Sequence, residues 1–331
     1  MAMYIVGADC GGTSTTVLVA KRSGEIVGRG KSGPGNYAID GYDGVMLAVR
    51  EATAEALAQG GLTWDEMLAQ GAALAAGVSG TSIPGAIAKL EKGWQEAGFQ
   101  TVAVSLDALI ALVGALSGGD GAIVISGTGS IGLGQWKGRS VQVGGWGYIL
   151  GDEGSSFWIT REVLRRLLQG RDGIAPRDMA LEQAALEHFH MERIDELIKV
   201  VYDVPINRGY LGSLTPVVVR LAKEGNSTCE AIIAEAGQEL GYLAGAVVRQ
   251  LDTQGEFCRV GACGGVFSAG SVILEPMQRA LAEKAPNAQV TLPDFAPVVG
   301  ALLVAYGKLG IAPAEILPSI EGSLKERRRN A

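Results

Sequence analysis

The sequence predicts an α/β protein of two lobes, each organised on a mixed sheet that begins as a glycine-turn hairpin. Three observations lead there. The stretch Gly7-Ala8-Asp9-Cys10-Gly11-Gly12-Thr13-Ser14-Thr15-Thr16 lies between the apolar runs Met3–Val6 and Val17–Ala20, so it reads as two strands joined by a short turn. The same plan returns where Gly121–Ser126 runs into Gly127-Thr128-Gly129-Ser130 and on into a second strand. After the first hairpin, strands and helices alternate, the pattern of a partly parallel sheet covered by helices. A chain of 331 residues is long enough for two substantial cores.

Both turns suit a phosphate. Adjacent glycines let backbone N–H groups converge on an anion, and Thr13 and Ser14 add hydroxyl donors. Asp9, at the end of the first strand, is placed to hold a hydrated Mg2+. One such turn alone also reads as an ordinary tight hairpin. Its repetition favours two facing hairpins that grip a polyphosphate. The chain has no G-x-x-x-x-G-K-[ST] loop, so a nucleotide must be held in another way.

Composition narrows the function classes. The net charge of −7 argues against a nucleic-acid partner. The one basic cluster, Lys325-Glu326-Arg327-Arg328-Arg329, reads as a solvated tail. A signal peptide is not expected, because the first residues show no charged leader followed by an apolar run. No uninterrupted apolar stretch reaches the ~18–20 residues that span a bilayer, so no membrane role is expected. Cys10, Cys229, Cys258 and Cys263 are scattered and form no C-x-x-C, which fits reduced thiols in the cytoplasm. His188 and His190 are the only histidines, a poor supply for a zinc centre or a Ser-His-Asp triad. Carboxylates and a metal-bound nucleotide are the remaining chemistry.

Taken in order, residues 25–31 read as a third strand and 32–37 as a loop rich in Gly and Pro. Within that loop Asn36 can bond a polar ligand through both its amide oxygen and its NH₂, or serve as a left-handed turn residue. Apolar spacing predicts a helix over 42–59, a buried strand over 72–78 and a helix over 83–97 closed by Gly98. A strand over 101–105 leads to the apolar helix 108–116. Asp107 stands between them, at the carboxyl end of a strand, where open α/β sheets place their chemistry. The same position suits a helix cap.

The second hairpin opens the other lobe and continues over 135–143 as two short strands around Lys137-Gly138. The run Gly144-Gly145-Trp146-Gly147-Tyr148-Ile149-Leu150-Gly151-Asp152-Glu153-Gly154-Ser155-Ser156 then leads to a helix over 157–168. A Trp among five glycines does little for a core, so this loop reads as one that closes on a ligand. Asp152 and Glu153 also suit the start of the helix dipole. Helices follow over 180–189, 194–201, 214–222 and 231–251. A strand over 257–262 runs into Cys263-Gly264-Gly265, a side-chain-free floor for an adenine or ribose or simply a close strand–helix junction. A helix over 272–285, a strand over 289–292 and a helix over 296–309 complete the series.

In this order the motifs resemble the sugar kinase/Hsp70/actin superfamily. Within it they are similar to the BadF/BadG-type ATPases, a group that includes N-acetylglucosamine kinases and bacterial glucosamine kinases. The phosphate loops are common to the superfamily, whereas Gly144-Gly145-Trp146-Gly147 through Gly151-Asp152-Glu153-Gly154-Ser155 is more specific. The resemblance implies a two-lobed actin-like ATPase fold, each lobe a ribonuclease-H-like mixed sheet, with nucleotide and sugar in the interlobe cleft. Its lobes would be residues 1–117 with 294–331, and 118–293. It implies ATP and Mg2+ as cofactors and an amino-sugar acceptor, N-acetylglucosamine converted to its 6-phosphate, in a cytoplasmic homodimer.

Carried over residue by residue, Asp107 is the general base, and Asn36, Gly145, Trp146, Gly147 and Asp152 line the sugar site with it. Gly11, Gly12, Thr13, Ser14, Gly127, Thr128 and Gly129 contact ATP phosphates, Asp9 organises Mg2+, and Ala222, Gly264 and Gly265 border the adenosine. Leu106 departs from relatives that carry a polar residue before the aspartate, which leaves open what bonds Asp107. Three other readings accompany this one: a glucosamine kinase, a non-catalytic sensor that binds amino sugar and nucleotide, and an ATPase activator of an acyl-CoA dehydratase or reductase. The activators bridge an iron–sulfur cluster through paired cysteines, and no such pair is recognisable here.

Overall fold

In the computed structural model, which describes residues 2–202 and 206–329, each glycine-turn hairpin begins a five-stranded mixed sheet. The chain divides into two units, Met1–Gly119 with Pro293–Ala331, and Asp120–Leu292. The first opens with β1 (Tyr4–Cys10), β2 (Thr15–Lys21) and β3 (Ile26–Ser32), paired antiparallel in succession. Helices α1 (Tyr37–Ala58) and α2 (Trp64–Ala69) lead to β4 (Ala72–Val78). Helix α3 (Ala86–Glu96), β5 (Thr101–Ser105) and α4 (Asp107–Ala115) follow. β4 lies parallel to both β1 and β5, giving the order β3-β2-β1-β4-β5. Every residue of β4 is buried, as expected of a parallel strand covered on both faces.

The second unit repeats the plan. Strands β6 (Gly121–Ser126), β7 (Ser130–Trp136) and β8 (Arg139–Gly144) are an antiparallel meander. Lys137 and Gly138, with φ of 45° and 83°, make the tight turn between the last two. The helices are α5 (Ser156–Arg171), α6 (Met179–Phe189), α7 (Leu197–Tyr202), α8 (Arg208–Gly212), α9 (Thr215–Lys223) and α10 (Ser227–Leu251). Then come β9 (Cys258–Cys263), α11 (Ser271–Lys284) and β10 (Ala288–Thr291). β9 is parallel to β6 and β10 to β9, so the order β10-β9-β6-β7-β8 matches that of the first sheet. Helix α10 packs on α11 and on β6 and β7, closing a core that includes Ile232, Leu240, Val247, Val260 and Met277.

The chain then returns to the first unit as α12 (Pro297–Lys308) and α13 (Pro313–Arg329). α12 lies on β1 and α4, and Leu302 and Tyr306 join Ile5 and Leu18 in a second core of that unit. The Tyr306 hydroxyl donates to the Lys21 carbonyl at 2.5 Å.

Three local expectations are corrected. α1 starts at Tyr37 rather than Tyr42, because Asn36 caps it; Gly41 leaves helical geometry at φ 68°, ψ −172°, which breaks the apolar rhythm at that point. The predicted solvated tail belongs to α13. Arg327 donates to the carbonyls of Ile26 and Val27 at the start of β3, so this one residue is tied to the sheet, while Lys325, Glu326 and Arg329 are exposed. Short helices α2 and α8 escape a periodicity argument because one or two turns carry too few apolar positions.

Candidate functional site

In the first unit, Asp9, Gly77 and Ser105 line up across β1, β4 and β5, near the carboxyl ends of three parallel strands. Such an edge is where open α/β sheets gather functional groups. Asp9 is largely buried, and its carboxyl is pushed up to about 6, first by burial and then by the negative charge of Asp107. Asp107 is the first residue of α4, and the cap position belongs to Leu106, which offers no side-chain bond. The Asp107 carboxylate is nevertheless held on both sides. Its Oδ1 accepts from the Ala108 N–H at 2.9 Å and its Oδ2 from the Ser79 hydroxyl. Ser79, one residue beyond β4, is the partner that Leu106 left unassigned.

The loop Gly11, Gly12, Thr13 and Ser14 joins β1 to β2 and is closed by Gly11 N–H donating to the Ser14 carbonyl at 3.1 Å. Gly12, Thr13 and Ser14 are exposed, while Cys10 and Thr15 on either side are buried. The strands thus present a polar turn to solvent. Asn36 stands beside this loop. Its Oδ1 accepts from Ala38 N–H as the cap of α1, at 3.0 Å, and its own N–H donates to Asp40 at 2.8 Å. Asn36 has extended backbone, not a left-handed one. Its oxygen serves the cap, so the NH₂ is the group left to donate to a ligand.

In the second unit the turn Gly127-Thr128-Gly129 is braced from behind by residues 152–156. Ser130 N–H donates to Asp152 Oδ1 at 3.1 Å, the Ser130 hydroxyl to the Glu153 carbonyl at 2.7 Å, the Ser126 hydroxyl to the Gly154 carbonyl at 3.0 Å, and Ser156 N–H to the Gly127 carbonyl at 2.8 Å. Asp152 is 5% exposed and takes the left-handed backbone at φ 60°, a strained choice for a non-glycine residue. Gly129 makes this packing available: a Cβ there would stand 2.8 Å from Asp152 Oδ2. The cap of α5 is Ser155, not the acidic pair. Arg208, at the start of α8, approaches Asp152 Oδ2 to 3.6 Å and lies 5.4 Å from the Tyr148 ring centre.

Gly145 and Gly147 also have positive φ, 74° and 81°. Between them Trp146 is 75% exposed, and Ile149 and Leu150 are exposed as well. Three large apolar side chains in solvent on a glycine-rich loop mark a surface that covers something.

A cavity of about 610 Å³ lies in the same unit, with Gly127, Thr128 and Gly265 on one side and Pro216, Val219, Arg220 and Lys223 on another. Gly264, at φ 105°, lies directly on β6: a Cβ there would meet the Ser126 carbonyl oxygen at 2.2 Å. This junction is therefore open only to glycine. Ala222 is 2% exposed and part of the core, so α9 presents Val219, Arg220 and Lys223 to the cavity while Ala222 faces inward.

Each unit thus collects its own share of the predicted residues: Asp9, Gly11, Gly12, Thr13, Ser14, Asn36 and Asp107 in one, and Gly127, Thr128, Gly129, Asp152, Gly264 and Gly265 in the other. Residues 6–305 match the model of the BadF/BadG/BcrA/BcrD ATPase family. The chain belongs to that family. Among curated relatives, an N-acetylmuramic acid/N-acetylglucosamine kinase from Clostridium acetobutylicum is 28% identical over 304 residues, 91% of this chain and 98% of that protein. An N-acetyl-D-glucosamine kinase from Dictyostelium discoideum is 28% identical over 312 residues, 91% of this chain and 97% of that protein. Among solved structures, a candidate N-acetylglucosamine kinase from Chromobacterium violaceum superposes with a TM-score of 0.74 at 25% identity, covering 92% of this chain and 99% of the other. With its paired mixed sheets, this BadF/BadG-family chain has the fold of the sugar kinase/actin-like ATPases.

Sequence reasoning missed Ser79 and Arg208. The signal for Ser79 was present: Ser79-Gly80-Thr81 follows a fully buried parallel strand beside the Asp9 strand. Arg208 carried no such signal, since only the folding of α8 brings it to residue 152.

Proposed function

We propose that the chain is an ATP-dependent amino-sugar kinase that phosphorylates the 6-hydroxyl of N-acetylglucosamine. The observation that carries the reading is Asp107: a carboxylate at the carboxyl end of β5, fixed by Ser79 and Ala108 N–H, with Asp9 and Asn36 in the same unit. Relatives named as N-acetylglucosamine kinases that span nearly the whole chain support the substrate class.

Phosphoryl transfer asks a protein chiefly to position the nucleophile, neutralise charge and remove a proton. Asp107 accepts the proton of the sugar hydroxyl as the oxygen attacks the γ-phosphorus, and Ser79 keeps its carboxylate aimed. The Asn36 NH₂ and Asp152 orient hydroxyls of the ring, with Trp146 covering its face and Gly145 and Gly147 letting the loop close. The exposed turns at 11–14 and 127–129 donate to phosphate oxygens, and the cavity beside Gly265 receives the nucleoside.

Mg2+ suits this donor set. It is bound through one or two carboxylates plus phosphates and water rather than by an all-protein cage, and Asp9 is a largely buried carboxylate beside the negative charge of Asp107. Asp9 would hold it, and the bound ion would neutralise charge on the phosphates.

No helix among the described residues is long and apolar enough to cross a membrane. The activator reading gains no support from the thiols. Cys10, Cys229 and Cys258 are buried and Cys263 is half-buried, a poor arrangement for bridging a cluster to another chain.

The test is ADP release measured over a panel of hexoses, with Trp fluorescence followed in parallel. N-acetylglucosamine should accelerate release by orders of magnitude and yield the 6-phosphate, and glucosamine should do so less well. If no hexose accelerates ADP release, the kinase reading fails. Should glucosamine outperform its N-acetyl form, the alternative substrate takes its place.

A further inference from the structure

The two sheets end in four edge strands, β3 and β5 in the first unit and β10 and β8 in the second. An edge strand presents unpaired N–H and C=O groups, a template for pairing with another chain. Three of these edges are occupied by side chains of the helix packed on them. On β3, the Gln59 carboxamide at the end of α1 takes both groups of Arg29. It accepts from the N–H at 3.1 Å and donates to the carbonyl at 2.5 Å, while Glu55 accepts from the Lys31 N–H at 2.7 Å. On β5, Glu91 of α3 accepts from the Val104 N–H at 3.1 Å. On β10, the Gln278 carboxamide of α11 stands in for a further strand. It donates to the Ala288 carbonyl at 3.3 Å and accepts from the Val290 N–H at 2.7 Å.

β8 is different. Helix α10 packs on it, yet among the described residues nothing beyond β7 hydrogen-bonds residues 139–144. Lys137-Gly138 is a two-residue turn, so Trp136 and Arg139 on either side of it form a bonded pair, and bonded and non-bonded pairs alternate from there. Ser140 and Gln142 therefore turn their N–H and C=O groups outward, and both residues are exposed. From Ser140 to Gly144 the strand has no charge and no proline, whereas β3 carries Arg29 and Lys31.

We propose that the outer edge of β8 is an interface at which two copies of this chain pair antiparallel, joining their second sheets into one. A strand laid antiparallel on its own copy is closed by a two-fold axis. With the axis at Val141, Ser140 of each copy lies opposite Gln142 of the other as a bonded pair, and the two Val141 side chains meet in the closer, non-bonded pair. Arg139 falls opposite Val143, so no like charges meet. Val141 and Val143 pack on the core of their unit and are still only half-buried, and the pairing covers their open flank. Every contact in this register is supplied by β8 itself, which selects a second copy over an unrelated strand. None of residues 139–144 is assigned to the sugar or the nucleotide, so the interface and the kinase reading stand or fall separately.

The test is sedimentation velocity of the full chain over a dilution series, with hydrogen exchange followed at Ser140 and Gln142. The intact chain should sediment as a dimer at the concentrated end, and both amides should exchange there more slowly than in the dilute monomer by about tenfold or more. Ser140→Lys combined with Gln142→Lys sets like charges in both bonded pairs and should give a monomer with unchanged circular dichroism. Ser140→Lys combined with Gln142→Glu sets opposite charges in the same pairs and should restore the dimer. Gln142→Pro removes one outward donor, spares the β7 ladder and should weaken the dimer without any added charge. A chain that is monomeric at every concentration overturns the proposal. So does a dimer that survives the double-lysine change, because the contact then lies elsewhere. A dimer lost equally in both charge variants rejects the axis at Val141 and with it the self-pairing argued from that register.

Discussion

The turn at residues 11–14 and the turn at 127–129 occupy the same corner of the same strand order, but different chemistry stands behind each. In the first sheet the closing pair is Cys10 with Thr15, and the residue before it is Asp9. In the second the closing pair is Ser126 with Ser130, and the residue before it is Ile125. One position past the parallel neighbour stands Ser79 in the first unit and Gly264 in the second. The first corner is thus acidic and hydroxylic, with two carboxylates whose charges interact. The second is braced by bonds from residues 152–156 and bordered by a cavity. A repeated hairpin presents a polar turn twice, and in the proposed function the residues one step behind would divide the work into proton and metal chemistry on one side and ligand holding on the other.

The largest expected effect breaks this division on the acidic side. Asp107→Asn keeps one acceptor oxygen for Ala108 N–H and turns an NH₂ toward Ser79, whose hydroxyl can accept instead, but it removes the base, so turnover should fall by about 10²-fold or more. The KM for ATP should hold steady. Ser79→Ala, which leaves the carboxylate intact but less well aimed, should cost severalfold in kcat. Normal turnover in Asp107→Asn would return Asp107 to a purely structural place at the start of α4.

How much of this was legible beforehand follows from range. The hairpins and the strands at 72–78 and 101–105 could be read because apolar runs and punctuating glycines are local signals. Asp9, Asp107 and the turns were legible for the same reason, since each sits where a strand ends. Asn36 was read as a candidate site residue and not as a cap, because its helix begins in the stretch that Gly41 interrupts. The inward turn of Ala222 and the placing of Arg208 beside Asp152 depend on how short helices pack. Neither has a period to announce it.

The next effect separates two glycines of one turn. Nothing lies within 4 Å of a Cβ built on Gly127, whereas one on Gly129 would strike the Asp152 carboxylate at 2.8 Å. Gly127→Val should therefore obstruct only what the turn binds. MgATP affinity should drop tenfold or more by calorimetry, with the unfolding midpoint little changed. Gly129→Val should lower affinity and also cost about 1–3 kcal/mol of stability through overpacking. If the two variants lose the same stability, the bracing of the second turn by Asp152 is not the difference between them.

The smallest effect sharpens the contrast between Asp9 and Ile125, and its sign can be worked out. Asp9 has its carboxyl raised from 3.8 to about 6 in the folded chain. Between those values the folded state holds the proton more tightly than the unfolded state does. The folded state is then favoured at low pH, and that advantage disappears as the pH rises through about 6. At pH 7 the ionised, largely buried Asp9 opposes folding by an amount on the order of 3 kcal/mol at most. Asp9→Asn has nearly the same shape and does not titrate. In EDTA it should be more stable than the intact chain at pH 7, and the gap should shrink by pH 4.5 when both are followed by urea unfolding. Adding Mg2+ should narrow the gap at pH 7, because the cation offsets the carboxylate charge in the intact chain and has no such partner in the variant. A gap that does not depend on pH would mean that Asp9 is no more strained in charge than any surface aspartate, and the acidic corner would lose its claim to a metal.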